Sequence, residues 1–339
     1  MQRFDGILLG HGAGGRLTHE LVRQVFLPRF SNPWLAPLSD SALLEALPAG
    51  RPALTTDGFV VDPPVFPGGD LGYLAVCGTV NDLAVAGARP LYLTFALILE
   101  EGCEAALLET VVEGAARAAR EAGVALVAGD TKVVPRGRGD RVYATTSGLG
   151  VVPPGREMGD HRVVSGDVLI ATGTLGDHGA AILGCRHGLD TGALSSDCAP
   201  LGGLLEAAHA SGAALHAAHD PTRGGTATVC CEVAERAGVR IVLDEAALPL
   251  RPQTVATCEL LGLEPLYLAC EGRALIWVPE RDAGRLLEAL HAHPLGAGAT
   301  AVGRVEARSN GSSGVALRTL VGGERPLDLL SGLDLPRIC

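Results

Sequence analysis

Apolar and polar positions along the chain fall into short β-rich runs and one long helical period. Residues 55–61, 91–99, 124–128 and 141–146 are apolar or β-branched and bounded by turn residues, which predicts strands. Between Glu104 and Ala122, the residues Ala106, Leu107, Val111, Ala115, Ala118 and Ala119 recur on one face at a period of about 3.6, which predicts a helix stopped by Gly123. Val151-Val152-Pro153-Pro154-Gly155 breaks the pattern. A second series then predicts a strand at 167–171, a helix at 227–237 and a strand at 274–278. The expected fold class is α/β (α+β) in two domains: a glycine-rich segment at 1–40, an N-terminal domain at 41–155, a C-terminal α/β domain at 156–308 and a tail at 309–339. Ser309-Asn310-Gly311-Ser312-Ser313-Gly314 reads as a flexible loop opening that tail.

The chain has 339 residues, 47% of them hydrophobic, enough for two cores. Its formal net charge of -11 argues against nucleic acid or an anionic membrane as the main partner, since both call for a basic footprint. Nine cysteines, none in a Cys-x-x-Cys pair, read as reduced thiols in a cytoplasm. The first residues, Met1-Gln2-Arg3-Phe4-Asp5, lack a basic region followed by an apolar stretch, and the near-apolar run at 91–99 is too short to span a bilayer. The expectation is a cytoplasmic protein with no membrane segment.

The chain ends in Pro336-Arg337-Ile338-Cys339, which puts a thiol where a chain is least tied down. Thiolate sulfur is the nucleophile of cysteine chemistry and can be acylated or carbamoylated. Aspartates beside glycine or asparagine recur: Asp57-Gly58, Gly69-Asp70, Asn81-Asp82, Gly129-Asp130-Thr131-Lys132 and Asp220-Pro221-Thr222-Arg223-Gly224-Gly225. Any one pair is equally what a turn contains. Five together, placed at strand ends, suit Mg²⁺ bridged to the phosphates of a nucleotide. Gly224-Gly225, directly before the helix predicted at 227–237, offers free backbone N–H groups and the helix dipole to an anion, with Arg223 adding charge. His11-Gly12-Ala13-Gly14-Gly15-Arg16 is a second glycine-rich loop that backbone alone could bring close to a phosphate. Neither a Gly-x-x-x-x-Gly-Lys-Ser/Thr loop nor a strict Gly-x-Gly-x-x-Gly is present.

Taken together with Thr55-Thr56-Asp57-Gly58-Phe59, Phe66-Pro67-Gly68-Gly69-Asp70 and Gly78-Thr79-Val80-Asn81-Asp82, these segments resemble the HypE family of hydrogenase maturation proteins, the carbamoyl-cysteine dehydratases. Several recur in the wider superfamily of aminoimidazole ribonucleotide synthetase, selenophosphate synthetase and thiamine-monophosphate kinase; the terminal cysteine is the specific mark. The resemblance implies a homodimer paired through the N-terminal domains, with ATP and Mg²⁺ between the two domains. It implies that a HypF-type carbamoyltransferase loads Cys339, that ATP-dependent dehydration gives a thiocyanate, and that the cyano group passes to HypC- and HypD-type scaffold proteins as a ligand of nickel-iron hydrogenase.

Carried onto this sequence, the resemblance implies Cys339 as the reacting residue, Glu271 as base and Lys132 as stabiliser of oxygen or phosphate charge. Gly14, Gly15, Asp57, Asn81, Asp130, Thr131, Thr222, Arg223, Gly224 and Gly225 would hold the nucleotide, and Asp40, Asp57, Asp82, Asp130 and Asp220 the metal. His219, where the family more often has Arg, stays outside the catalytic set. The rival readings are a superfamily synthetase or kinase acting on a free small molecule, and a non-catalytic docking protein.

Overall fold

The computed structural model describes residues 5–308, 314–330 and 338–339. The loop read at Ser309 to Ser313 and most of the terminal segment lie outside the described residues. In the first half, α1 (Arg16–Leu21) and α2 (Leu27–Phe30) precede β1 (Arg51–Phe59) and the two-residue strands β2 (Val65–Phe66) and β3 (Gly69–Asp70). Then come α3 (Leu71–Val85), β4 (Arg89–Glu100), α4 (Ala105–Ala122), β5 (Ala125–Val134) and β6 (Val142–Val152). Four of these strands form a sheet in the order β1-β6-β4-β5, antiparallel except for the β4–β5 pair, which α4 connects as a crossover.

The second half contains β7 (Asp167–Ala171), α5 (Asp177–Arg186), α6 (Gly202–Ala210), β8 (Ala217–His219), α7 (Gly225–Ala237) and β9 (Arg240–Asp244). It continues with α8 (Pro252–Leu261), β10 (Leu275–Pro279), α9 (Glu280–His291), β11 (Thr300–Glu306), β12 (Gly314–Arg318) and β13 (Glu324–Leu327). Its sheet has seven strands in the order β13-β12-β9-β11-β7-β10-β8. The α/β class is therefore as expected, with one large sheet in each half and a two-stranded β2–β3 pair in the first.

Three elements differ from the sequence expectation. Residues 314–318 and 324–327, read as tail, pair as β12 and β13, because Val315-Ala316-Leu317 is an apolar run of strand length that docks beside β9. The face of α4 is shifted by one residue: Ala105, Leu108, Val111, Val112, Ala115, Ala118 and Ala119 are buried, while Ala106 is exposed and Leu107 half-buried. The third element, α3, has no amphipathic period to read, since both of its sides are covered and nearly every residue is buried. Asp70 is its N-cap, accepting from Gly72 N at 2.9 Å and Tyr73 N at 3.0 Å, so that carboxylate is committed to the helix and not to a ligand.

Helix α3 also joins the two halves. Asn81, with no exposed surface, donates to the carbonyls of Ala199 and Glu271, both at 3.1 Å, and accepts from Leu201 N at 2.7 Å. Both amide hydrogens are thereby used, and the side chain fixes the backbone at Glu271 against the N-terminal half.

Where α3 crosses α4, a Cβ added at Gly72 would stand 1.7 Å from the Val111 carbonyl oxygen, which only glycine avoids. Overpacking of this kind costs about 1–3 kcal/mol or more. We expect Gly72→Ala to lower the unfolding free energy in urea by about 3 kcal/mol; a loss under about 1 kcal/mol would mean that the crossing can open freely.

Candidate active site

The end of β8 and the start of α7 lie where the C-terminal half meets α3. Gly224 and Gly225 both take left-handed conformations, φ 69° and 62°, and Gly225 must be glycine because a Cβ would stand 2.6 Å from the carbonyls of Leu266 and Leu268. Gly225 opens the 13-residue α7, whose leading backbone N–H groups have no acceptor within the helix. The buried Thr226 and Thr228 hydroxyls lie there without a protein partner. These groups, with Arg223 exposed beside them, fit a phosphate.

Facing them is a set of carboxylates drawn from both halves. Asp57, on β1, accepts from the Thr79 hydroxyl at 3.1 Å, and Asp82, on α3, accepts from Thr55 at 2.7 Å. Asp220 follows β8, and Glu271 lies in the loop before β10, only 1% exposed. Gly272 allows that loop its close approach, because a Cβ there would meet the Asp197 carbonyl at 1.9 Å. In return, Asp197 Oδ1 accepts from Glu271 N at 3.0 Å, and Arg273 lies 3.7 Å from the other oxygen.

Burial of so many acids together holds protons on them. Burial pushes Asp220 up to about 7, with the Asp82 and Asp57 charges adding to it. Burial also pushes Asp197 up to about 6, against the pull of Arg273. Glu271 is raised well above the usual carboxylate range, first by burial and then by Asp220, Asp197, Asp57 and Asp82. Asp82 is raised in the same way, with Thr55 and Arg223 opposing. Asp220 Oδ2 and Glu271 Oε1 are buried without a hydrogen-bond partner. Among the described residues no three His, Cys, Asp or Glu groups converge into a closed metal cage. A magnesium ion that keeps waters and phosphate oxygens needs only one or two carboxylates, however, and a hard-oxygen set with orphaned atoms fits it.

The chain's own C-terminus reaches these carboxylates. Ile338 is buried, and Cys339 is half-buried and within electrostatic reach of Glu271, Arg223, Asp57 and Asp220. Burial and the neighbouring Glu271 push its thiol up to about 12, so docked sulfur is not a thiolate. All nine cysteines are free.

Other expected site residues lie elsewhere in the single chain. Asp130, Thr131 and Lys132 are in the body of β5 and not in a strand-end turn; Asp130 pairs with Lys132 at 2.8 Å, and both are exposed. Asp57, Thr146, Phe95 and Gly129 stand in one row across the sheet, which puts Asp57 and the neighbourhood of Asp130 about 14 Å apart, three strand spacings. Lys132 is thus not brought to Glu271 within one chain. Gly14 and Gly15 precede α1; the loop containing them packs Gly12 against Val133 of β5, so it sits on the Asp130 side. Asp130 and Thr131 border an apolar cavity of about 160 Å³ lined by Phe26, Phe30, Leu35, Leu38 and Phe95. Asp40 is exposed, and Thr222 stays at the α7 loop with its N donating to the Asp220 carbonyl. His219 turns away to Asp160, 2.7 Å distant. Sequence reasoning passed over Asp197, His178 and Ser196, which carry no motif and meet the site only through folding.

Such an arrangement, two sheet-containing halves with a phosphate-binding helix start and shared carboxylates, defines an enzyme of the AIR synthase related class. The N-terminal and C-terminal domains of the AIR synthase related protein family match residues 38–152 and 164–316. Carbamoyl dehydratase HypE of Rhodobacter capsulatus is 52% identical over 341 residues, covering 99% of each chain. A crystal structure of hydrogenase maturation protein HypE in complex with ATP superposes with a TM-score of 0.94 at 42% identity, over 98% of this chain and 99% of that one. HypE in a HypE–HypF complex superposes at 0.79 and 41% identity, over 93% and 100%. The chain belongs to the carbamoyl dehydratase HypE family, as its sequence motifs implied.

The raised acids make stability fall with pH. A carboxyl that holds its proton to about 7 when folded, but releases it near the ordinary 3.8 when unfolded, stabilises fully below the lower value; this contribution is lost as pH rises through the upper one. Without nucleotide, the melting temperature should drop by several degrees between pH 5 and pH 8, and Asp220→Asn should flatten the drop. Equal pH slopes in the two proteins would remove Asp220 from the cause.

Proposed function

We propose that this enzyme dehydrates an S-carbamoyl group on its own Cys339 to a thiocyanate, using ATP, and so supplies the cyanide ligand for nickel-iron hydrogenase. The observation that carries this reading is the burial of the terminal cysteine at the carboxylates of its own chain. A kinase for a free small molecule would have no use for a terminus filling its cavity, and a docking protein none for orphaned buried carboxylate atoms.

An amide oxygen leaves poorly, so it is first phosphorylated: ATP becomes ADP, and one nitrogen proton is lost to give an S-bound imidate phosphate. Departure of phosphate with the second nitrogen proton then leaves S–C≡N. Glu271, buried beside the sulfur, is assigned as the base. Its raised pKa means that the carboxylate form able to accept a proton is reached only as pH rises, so turnover should climb with pH. Arg223, Gly224, Gly225 and Thr222 are assigned to the phosphates. Asp57, Asp82 and Asp220 would hold Mg²⁺, which when bound neutralises charge on the transferring phosphoryl group.

The protonated state of docked Cys339 suits a neutral thiocarbamate and not a nucleophilic thiolate. Loading by a HypF-type carbamoyltransferase therefore takes place with the terminus released, and delivery to HypC- and HypD-type scaffolds needs release again. The outward face of the four-stranded sheet exposes Leu54 and Ile98, 78% and 38% accessible. We assign this face to a homodimer, from which Lys132 and Asp130 serve the nucleotide, with Gly14, Gly15 and Thr131 around the apolar cavity. No described helix is long and apolar enough to cross a membrane, and we place the enzyme in the cytoplasm.

The test is the mass of the C-terminal peptide after incubation with a HypF-type carbamoyltransferase, carbamoyl phosphate and MgATP. A carbamoyl adduct on Cys339 that loses one water only with ATP is expected. Glu271→Gln should still be carbamoylated but form thiocyanate at least about 100-fold more slowly. ATP turnover unchanged in Cys339→Ala would point instead to a free substrate.

A further inference from the structure

Ile338 and Cys339 are held by backbone as well as by side-chain burial. A backbone oxygen of Cys339 accepts from Val60 N at 3.2 Å, and the Ile338 carbonyl lies 2.9 Å from His178 Nε2. His178 stands in the first turn of α5, has no exposed surface, and meets the Phe66 ring edge-on at 5.5 Å. A carbonyl can only accept, so Nε2 carries the hydrogen and Nδ1 is the acceptor. Ser196 Oγ, 2.8 Å from Nδ1, then donates to it and accepts from Cys198 N at 3.0 Å. Each polar atom in this chain has one consistent role. Burial holds the imidazole down to about 4, so the ring is neutral at neutral pH.

The hydroxyl that fixes the imidazole belongs to the same short loop that fixes the base. Ser196 holds His178; the next residue, Asp197, holds Glu271 N; and Ser196 N donates to the Pro67 carbonyl at 2.8 Å. A displacement of this loop moves the grip on the terminus and the placement of Glu271 together.

We propose that His178 is the positioning residue that registers the C-terminal dipeptide in the cavity, its Nε2–H holding the Ile338 carbonyl so that the Cys339 sulfur lies at Glu271, with Ser196 fixing the required tautomer. The proposal rests on the reading of Cys339 as the site of dehydration. Because the contact is to a main-chain carbonyl, it reads the path of the terminus and leaves the group on sulfur free to change from thiol to thiocarbamate to thiocyanate.

The experiment uses the full chain and two readouts. The first is peptide-resolved iodoacetamide labelling of Cys339, with the exposed Cys185 as an internal control. The second is single-turnover dehydration of the carbamoylated protein at saturating MgATP. His178→Phe keeps the ring and loses the donor; it should speed Cys339 labelling about 5- to 10-fold, leave Cys185 unchanged, and slow dehydration by a similar factor. His178→Gln, which can return an N–H to the same point, should recover much of both effects. Ser196→Ala should move both readouts in the same direction by about 3-fold, and serves where His178→Phe does not fold. Unchanged Cys339 labelling in a folded His178→Phe or Ser196→Ala protein, or a His178→Gln protein no better than His178→Phe, would overturn the proposal. If labelling responds as expected while even the unaltered protein forms no thiocyanate, the grip stands and the dehydratase reading fails.

Discussion

One buried side chain fastens the two halves together where their apolar cores already run into each other. Asn81 reaches from α3 to the carbonyls of Ala199 and Glu271 and to Leu201 N, so a residue of the first half sets the backbone of the loop that carries the base. An unpaired polar group in such a place would cost about 1–3 kcal/mol, which makes the match of all three bonds a condition for the halves to close. Everything catalytic depends on that closure, since Asp57 and Asp82 come from one half and Asp220 and Glu271 from the other.

Closure has an electrostatic consequence. Asp82, Asp220 and Glu271, with Asp197 behind them, share a space poor in water, and burial there favours their protonated forms. On the proposed reading, the negative charge of these acids is what Mg²⁺ with a polyphosphate would neutralise, with the start of α7 offered to the phosphates. The same environment makes the docked thiol inert. On the proposed function the terminus alternates between a place where sulfur reacts and a place where the group on sulfur is changed, and the grip of His178 and Val60 on main-chain atoms suits a segment that docks repeatedly.

Much of this was legible in the chain itself. The amphipathic period of α4 and its glycine stop, the β-rich runs that became β1, β4, β5 and β6, and the glycine pair before α7 are local signals that burial and backbone sterics impose on any sequence. The motif resemblance gave the family, because the terminal cysteine and the Asp-Pro-Thr-Arg-Gly-Gly segment are contiguous. Helix α3 was not legible: it is covered on both sides and lacks the polar face by which a helix announces itself.

The sequence alone determined the family, the α/β class, and which residue types were available for phosphate, metal and sulfur chemistry, since each of these rests on neighbours within a few positions. Tertiary structure alone decided which of those residues meet. It made Asn81 a fastener between the halves, put the neighbourhood of Asp130 about 14 Å from Asp57 across the sheet, and brought His178, Ser196 and Asp197 to the terminus and to Glu271. The physical reason is that contacts between residues more than a hundred positions apart are set by strand register, helix crossing and the burial of polar atoms, none of which leaves a periodic or contiguous trace in the chain.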